Sequence, residues 1–250
     1  MNDPYLVTAL EAAAHATQII RESSKADLEV STKGSPRDLV TQVDFASERV
    51  IREVVLREHP EHSVLGEEGG RTGSHPYCWV VDPVDGTSNF VRGVPHFAVS
   101  IGLEHEGESY LGVVTNPTTG DTYHVVRGQG AFKNGERLQV SRCAELGAAF
   151  VTVSFSADKA VIDQAKPVWE ALLTRAQTLR RMGSTALELA LLAEGKTDAF
   201  AGFGQGAWDV AAGALLVEEA GGSVRRLDGG ATFLAAASGE LLGELEGLLI

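Results

Sequence analysis

The sequence predicts an α/β protein in two lobes, an antiparallel-sheet lobe followed by a mixed-sheet lobe, on three observations. Between residues 97 and 140, short apolar or alternating runs are separated by Gly, Pro and Asn turn residues at the spacing of an antiparallel meander. From residue 150 the pattern changes to strand-like runs alternating with longer runs of helical period. Ahead of both, two stretches repeat apolar residues at helical spacing. The change near Ser141 predicts a division into residues 1–143 and residues 144–250.

Asp3 followed by Pro4 reads as a helix start, an N-cap with Pro in the first turn. Leu6, Ala9, Leu10, Ala13, Ala16 and Ile20 then recur at helical spacing to about Ser23, a helix that carries His15 at its surface or boundary. Leu28 to Thr32 alternates like a short strand, and Lys33 to Asp38 is a polar loop. Thr41 is placed to cap a second helix bearing Val43, Ala46, Val50 and Val54. Asp44 falls in its first turn, where the helix dipole alone accounts for an acid. His62 to Leu65 is a strand running into Gly66-Glu67-Glu68-Gly69-Gly70, which suits either an exposed turn or a ligand loop. Cys78 to Val81 is a buried strand.

The meander follows as Phe97 to Leu103, Tyr110 to Val114 and Asp121 to Val126, with Leu138-Gln139-Val140 as another short strand. Beyond it, Phe150 to Val153 and Asp198 to Ala201 read as strands, with helices over about 158–176 and 184–193. Trp208-Asp209 opens a helix that ends at Gly221-Gly222, with Asp209 at its start. Val224, Phe233 to Ala237 and a Leu-rich tail complete a sheet and a last helix.

A 250-residue chain with 44% hydrophobic and 22% charged residues has an ordinary globular composition. A net charge of -13 argues against direct nucleic-acid binding, which draws on Lys and Arg. It is compatible with an anionic substrate where cations reverse the local field. Cys78 and Cys143 are too few for a disulfide framework, so reduced thiols and a cytoplasmic location are expected. The N-terminus lacks a basic segment followed by an apolar run, and no stretch is apolar for long enough to span a bilayer, so no membrane association is expected.

Chemistry concentrates in Asp82-Pro83-Val84-Asp85-Gly86-Thr87-Ser88-Asn89-Phe90. Pro83 fixes φ between two carboxylates, and Gly86 permits an unusual φ or a close backbone approach. The two acids can be aimed at one point, where they repel unless a hard divalent cation neutralises them. Oxygen donors without nearby His or Cys favour Mg²⁺, Mn²⁺ or Ca²⁺. Gly86 and Thr87 can offer amides and a hydroxyl to an anion. Asp-Pro and Asp-Gly are also common turn pairs, so the stretch alone leaves turn and metal–phosphate site open. Glu67, Asp82, Asp85 and Asp209 all lie at strand ends or helix starts beside glycine, where an α/β protein assembles a site from separated segments.

With these motifs in order, the sequence resembles the inositol monophosphatase family of metal-dependent phosphatases. Gly66-Glu67-Glu68 is similar to its first acidic motif, residues 82–90 to its signature, and Trp208 to Gly213 with Glu219-Ala220-Gly221-Gly222 to its C-terminal signature. Lys33 to Asp38, Leu39-Val40-Thr41 and Asp44 resemble its N-terminal loop and helix. The resemblance implies a layered α/β/α/β/α sugar-phosphatase fold and a Mg²⁺-dependent phosphomonoesterase that uses a metal-activated water. By position, Glu67, Asp82 and the Val84 carbonyl would hold one ion, Asp82, Asp85 and Asp209 a second, and a third, weaker ion would lie near Glu67. Asp44 and Thr87 would orient or deprotonate the attacking water, with Glu67 as a further catalytic residue. The Gly86 and Thr87 amides would hold phosphate, while Gly183, Ser184, Thr185 and Asp209 would contact the substrate. No phosphoenzyme is required, so Asp85 is expected to be a ligand rather than a nucleophile.

Inositol-specific members carry an acid before the Trp-Asp pair; here Ala201 to Gly206 has none, which leaves room for a bulkier or more varied substrate. Fructose 1,6-bisphosphate, 3′-phosphoadenosine 5′-phosphate and histidinol phosphate are the alternatives within that chemistry. Outside it stand a non-catalytic partner of the transcription machinery and a structural cation-binding protein. The Asp spacing of a Ca²⁺-binding helix–loop–helix is missing, which disfavours the last. The resemblance also implies a homodimer.

Overall fold

The computed structural model describes residues 3–23, 28–33 and 36–249. Gly34 and Ser35 of the polar loop lie outside them, as do Met1, Asn2 and Ile250. The chain runs α1 (Pro4–Ser23), β1 (Val30–Thr32), β2 (Leu39–Thr41), α2 (Gln42–Glu58), β3 (Ser63–Gly66), β4 (Gly70–Thr72), β5 (Tyr77–Asp85) and α3 (Thr87–Arg92). It continues through β6 (Ala98–His105), β7 (Glu108–Thr115), β8 (Thr122–Val126), β9 (Gly130–Lys133) and β10 (Glu136–Arg137). After a short 3₁₀ turn at Leu146–Ala148 come β11 (Phe150–Phe155), α4 (Lys159–Arg175), β12 (Thr178–Arg180), α5 (Thr185–Ala193) and β13 (Ala199–Phe203). The remainder is α6 (Ala207–Glu219), β14 (Ser223–Leu227), β15 (Thr232–Ala236) and α7 (Gly239–Glu246).

An eight-stranded sheet has the order β10-β9-β8-β7-β6-β5-β3-β4 and is antiparallel except for the parallel pair β3 and β5. A five-stranded sheet, β12-β11-β13-β15-β14, is mixed, with β11 parallel to both neighbours and β15 antiparallel to both of its own. Helices α1 and α2 cover the outer face of the first sheet; α5 and α6 fill the space between the sheets; α4 and α7 cover the outer face of the second. The fold is the five-layered α/β/α/β/α arrangement. The boundary proposed at 143/144 falls in the connection between the two sheets.

Strand alternation builds the layers. On β5, Trp79 and Val81 join the core under α1 and α2, while Cys78 and Val80 face α6. On β13 and β15, Phe200, Phe233 and Ala235 face the middle helices, while Ala201, Phe203 and Leu234 face α4 and α7. With cover on both faces, these strands read as continuous apolar runs. Helices α5 and α6 have partners on two sides and are apolar almost all round.

Close packing of α6 sets the position of Asp209. Gly102 on β6 pairs with Gly112 on β7, leaving a groove in the sheet face. A Cβ at Gly112 would stand 2.7 Å from Ala212 Cα, and one at Gly102 would stand 2.9 Å from Ala211 Cβ. Only hydrogen at both positions lets α6 pack this closely onto β6 and β7 at Ala211 and Ala212.

Several boundaries differ from expectation. Leu138 to Val140 is not a strand: the turn at Asn134-Gly135 closes at once, so Glu136–Arg137 pairs with β9. Leu138 then donates one amide bond to Ala131, and Val140 leaves the sheet for the end of α6. Strand β5 runs through Asp85, so the Asp-Pro-Val-Asp motif is strand with a register shift between Asp82 and Asp85, not a turn after a strand.

Candidate active site

Strand β5 and the glycine turn at its end shape the acidic motif. The irregular register at Pro83-Val84 turns Asp82 and Asp85 toward one side, and Asp82 Oδ1 accepts the Val84 amide at 3.0 Å. Gly86, at φ +96°, is the left-handed N-cap of α3 and turns the chain away. A Cβ there would come 2.8 Å from the Gly183 carbonyl, so the turn also lets the 181–183 loop approach.

Asp209 arrives from the third residue of α6, where Oδ2 accepts the Gly206 amide at 2.7 Å. Asp82, Asp85 and Asp209 each place a carboxylate oxygen within 4.8 Å of the others. Burial, then Glu67, Asp85 and Asp209, pushes the Asp82 carboxyl well above the usual range. Burial, then Asp85 and Glu67, does the same for Asp209. Glu67 enters from the β3–β4 turn, its amide donated to Val81 at 3.1 Å beside Asp82. With Glu67 beside them, Asp82, Asp85 and Asp209 crowd buried like charges and oxygen donors at one point, so the donor set fits hard divalent cations.

Asp85 is more committed than its neighbours. Its oxygens accept Ser184 Oγ at 2.7 Å, the Ala186 amide at 2.6 Å and the Thr185 amide at 3.2 Å, at the start of α5. Burial pushes Asp85 up to about 6, while these three hydrogen bonds act in the other direction.

Asp44 divides its oxygens. Oδ2 accepts the Thr41 amide and hydroxyl, closing the capping box of α2, and Oδ1 accepts the Thr87 hydroxyl at 3.0 Å. Thr87 Oγ1 also lies 3.1 Å from the Val84 carbonyl, and its single proton can serve only one acceptor at a time. The N-cap explanation for Asp44 and a functional one are therefore both present in the geometry. Burial raises the Asp44 carboxyl despite the bonds from Thr41 and Thr87.

A cleft of about 640 Å³ opens over these groups, bordered by Glu67, Asp82, Val84, Asp85, Gly86, Thr87, Gly183 and Asp209. Phe155, Ile162 and Arg181 also line it. Ser184 and Thr185 are not brought to it: both are buried, Ser184 on Asp85 and Thr185 Oγ1 2.7 Å from Gln205 Oε1. Of the 183–185 stretch, Gly183 alone borders the cleft.

Three further residues matter that sequence reasoning did not single out. Lys33 Nζ bridges Glu67 and Glu68 at 2.8 and 2.5 Å; burial opposes its charge, but the two glutamates outweigh it and raise the ammonium. Asn89 donates Nδ2 toward the carbonyls of Met182 and His96, tying α3 to the 181–183 loop. Glu188 accepts the Gly183 and Met182 amides from inside α5. A lone acid in the apolar run Ala186 to Ala190 was the available signal for Glu188; the glutamates on Lys33 and the Met182 carbonyl on Asn89 are too distant in sequence to leave one.

A five-layered α/β fold with an acid-walled cleft between its sheets defines the class, and comparison with known proteins supplies the family. The model of the inositol monophosphatase family matches residues 1–249. The chain is 42% identical over 222 residues to an inositol-1-monophosphatase of Rhizobium meliloti, covering 85% of this chain and 80% of the relative. It is 40% identical over 239 residues to the Nus factor SuhB of Pseudomonas aeruginosa, covering 92% and 88%. The crystal structure of the extragenic suppressor protein suhB of Bartonella henselae superposes with a TM-score of 0.92 at 32% identity, over 99% of this chain and 98% of that one. An inositol monophosphatase from Anabaena gives 0.87 at 32% identity, over 98% and 94%. The chain belongs to the inositol monophosphatase family.

Proposed function

We propose that this chain is a Mg²⁺-dependent phosphomonoesterase acting on inositol monophosphate or a related sugar or polyol phosphate. The observation that carries the reading is the convergence of Asp82, Asp85 and Asp209 within 4.8 Å, beside the Asp44–Thr87 pair. Glu67, Asp82 and the Val84 carbonyl would hold one ion, and Asp82, Asp85 and Asp209 a second, with room for a third near Glu67. When bound, such ions neutralise a phosphate dianion, acidify water and stabilise a leaving alkoxide.

The chain's own groups supply orientation. Asp44 Oδ1 accepts the Thr87 proton, which leaves an Oγ1 lone pair to receive a proton from the attacking water. Glu67, at the same rim, is a second acceptor for that water. The backbone amides of Gly86 and Thr87 bind phosphate oxygens. Gly183 and Asp209 border the alcohol half of the substrate, while Ser184 and Thr185 act on it through Asp85 and the α5 start. A cleft of about 640 Å³, lined also by Phe155, Ile162 and Arg181, favours several substrates over one. We also expect a cytoplasmic homodimer; light scattering should give about twice 26.5 kDa.

Phosphate release from inositol 1-phosphate, fructose 1,6-bisphosphate, 3′-phosphoadenosine 5′-phosphate and histidinol phosphate, with Mg²⁺ and with chelator, tests the reading. Mg²⁺-dependent release from at least one supports it; no release from any with Mg²⁺ bound refutes it as tested. A second reading is favoured by relatives named Nus factor SuhB: a role with the transcription machinery. A surface of net charge -13 suits a basic protein partner rather than nucleic acid. Binding of purified transcription components by Asp85→Asn supports a role separable from turnover, and absence of binding by the wild type refutes it.

A further inference from the structure

The Gly-Glu-Glu-Gly-Gly turn is wrapped around a carboxylate of its own chain. Glu48 lies on α2 one turn beyond Asp44 and is 3% exposed. Its Oε2 accepts the Glu68 amide at 2.7 Å, and its Oε1 accepts the Gly69 amide at 2.9 Å. Arg52, on the next turn of α2, donates Nε to the same Oε1 at 2.7 Å and reaches the Gly70 carbonyl and Thr72 hydroxyl at 2.6 and 3.0 Å. Both oxygens of Glu48 are thus engaged, and its charge is paired with Arg52.

Gly66 and Gly69 of the turn are explained by this carboxylate. A Cβ on Gly66 would stand 2.3 Å from Glu48 Cδ, and one on Gly69 would stand 2.6 Å from Oε1. Glu67 sits between those glycines. On one side its amide is fixed to Val81, and on the other the next two amides are fixed to Glu48. The backbone that aims Glu67 beside Asp82 is therefore held from both ends.

We propose that Glu48 is a positioning residue: through the Glu68 and Gly69 amides it places the Glu67 carboxylate, and by that route it sets the cation affinity of the cleft. This deepens the reading of the cleft as a divalent-cation site and rests on it. Glu48 itself touches neither cation nor substrate.

The test is Mg²⁺ titration by calorimetry, with thermal melting in chelator as a fold control, on the wild type, Glu48→Gln, Glu67→Gln and the double variant. A carboxamide has one oxygen for two amides and turns its NH₂ toward the other. Glu48→Gln is expected to weaken Mg²⁺ binding about tenfold or more. The double variant should bind Mg²⁺ no more weakly than Glu67→Gln, since Glu48 acts through Glu67. Wild-type Mg²⁺ affinity in Glu48→Gln, or losses that multiply in the double variant, would overturn the proposal. If Glu48→Gln does not fold, Gly69→Ala decides: it displaces the turn but leaves Glu48, and retained wild-type affinity overturns the proposal. A wild type that binds no Mg²⁺ overturns the cation reading and this proposal together, which separates that failure from the others.

Discussion

Ser184→Ala separates substrate contact from support of the acidic cluster. The hydroxyl donates to Asp85 Oδ2 at 2.7 Å, and the Ala186 and Thr185 amides reach the same carboxylate at 2.6 and 3.2 Å. Burial holds Asp85 at about 6 against these bonds, so losing one favours the protonated form further. A hydrogen bond to a charged group contributes about 1.5–3 kcal/mol. With two amides still in place, roughly 1.4 kcal/mol of that is a differential loss, equal to about one pH unit. Protons then compete with Mg²⁺ up to a higher pH. Titration calorimetry across about pH 5.5 to 8.5 should show the acid-side loss of Mg²⁺ affinity shifted up by about one unit, with the affinity at the alkaline end within about threefold of wild type. The substrate KM at saturating Mg²⁺ should hardly change. An unaltered Mg²⁺ profile with a several-fold higher KM would refute the reasoning and return Ser184 to the substrate.

Thr87→Val removes the donor to Asp44 Oδ1 and should lower kcat by about 10²–10⁴-fold with little change in melting temperature; activity within a few-fold of wild type would contradict that role. Gly86→Ala forces a side chain to φ +96° and a Cβ to 2.8 Å from the Gly183 carbonyl, a cost of about 2–4 kcal/mol, seen as a fall of roughly 4–16 °C in scanning calorimetry. An unchanged melting temperature would show that the turn relaxes freely. Asp85 and Glu188 are buried acids pushed up to about 6 and about 7. A raised folded pKa gives stability that is complete below the unfolded value near 4 and is lost as pH rises through the folded value. Cation-free protein should therefore lose stability between about pH 4.5 and 7, and added Mg²⁺ should raise the melting temperature more at about pH 8 than at about pH 5. Equal rises at both would mean that cation binding does not compete with these protons.

Local chemistry made much of the fold legible. Thr41 caps α2 as its residue type and the following period suggest, and Asp3 accepts the Tyr5 and Leu6 amides at the start of α1. The meander followed from turn residues whose conformations are local. What stayed hidden depends on partners far along the chain. Strands β4 and β12 have three residues each, and their pairing comes from β3 and β11 rather than from a pattern of their own. At the site, Asp82 and Asp85 are brought together by closeness in the chain, with a proline between them to fix the backbone. That Asp85 is held by the start of α5, about a hundred residues on, leaves no local trace. Ser184 carries the same residue type whether it faces substrate or an acid, and only the packing of α5 between the sheets decides.

The most direct test of the acidic cleft as a cation-dependent catalytic centre is Mg²⁺ calorimetry and phosphate release measured on the same preparations of wild type and Asp85→Asn. The geometry predicts saturable Mg²⁺ binding with chelator-sensitive release in the wild type, and loss of most of both in a variant whose circular dichroism is unchanged. Full turnover in Asp85→Asn, or release from the wild type that chelator does not touch, would contradict it.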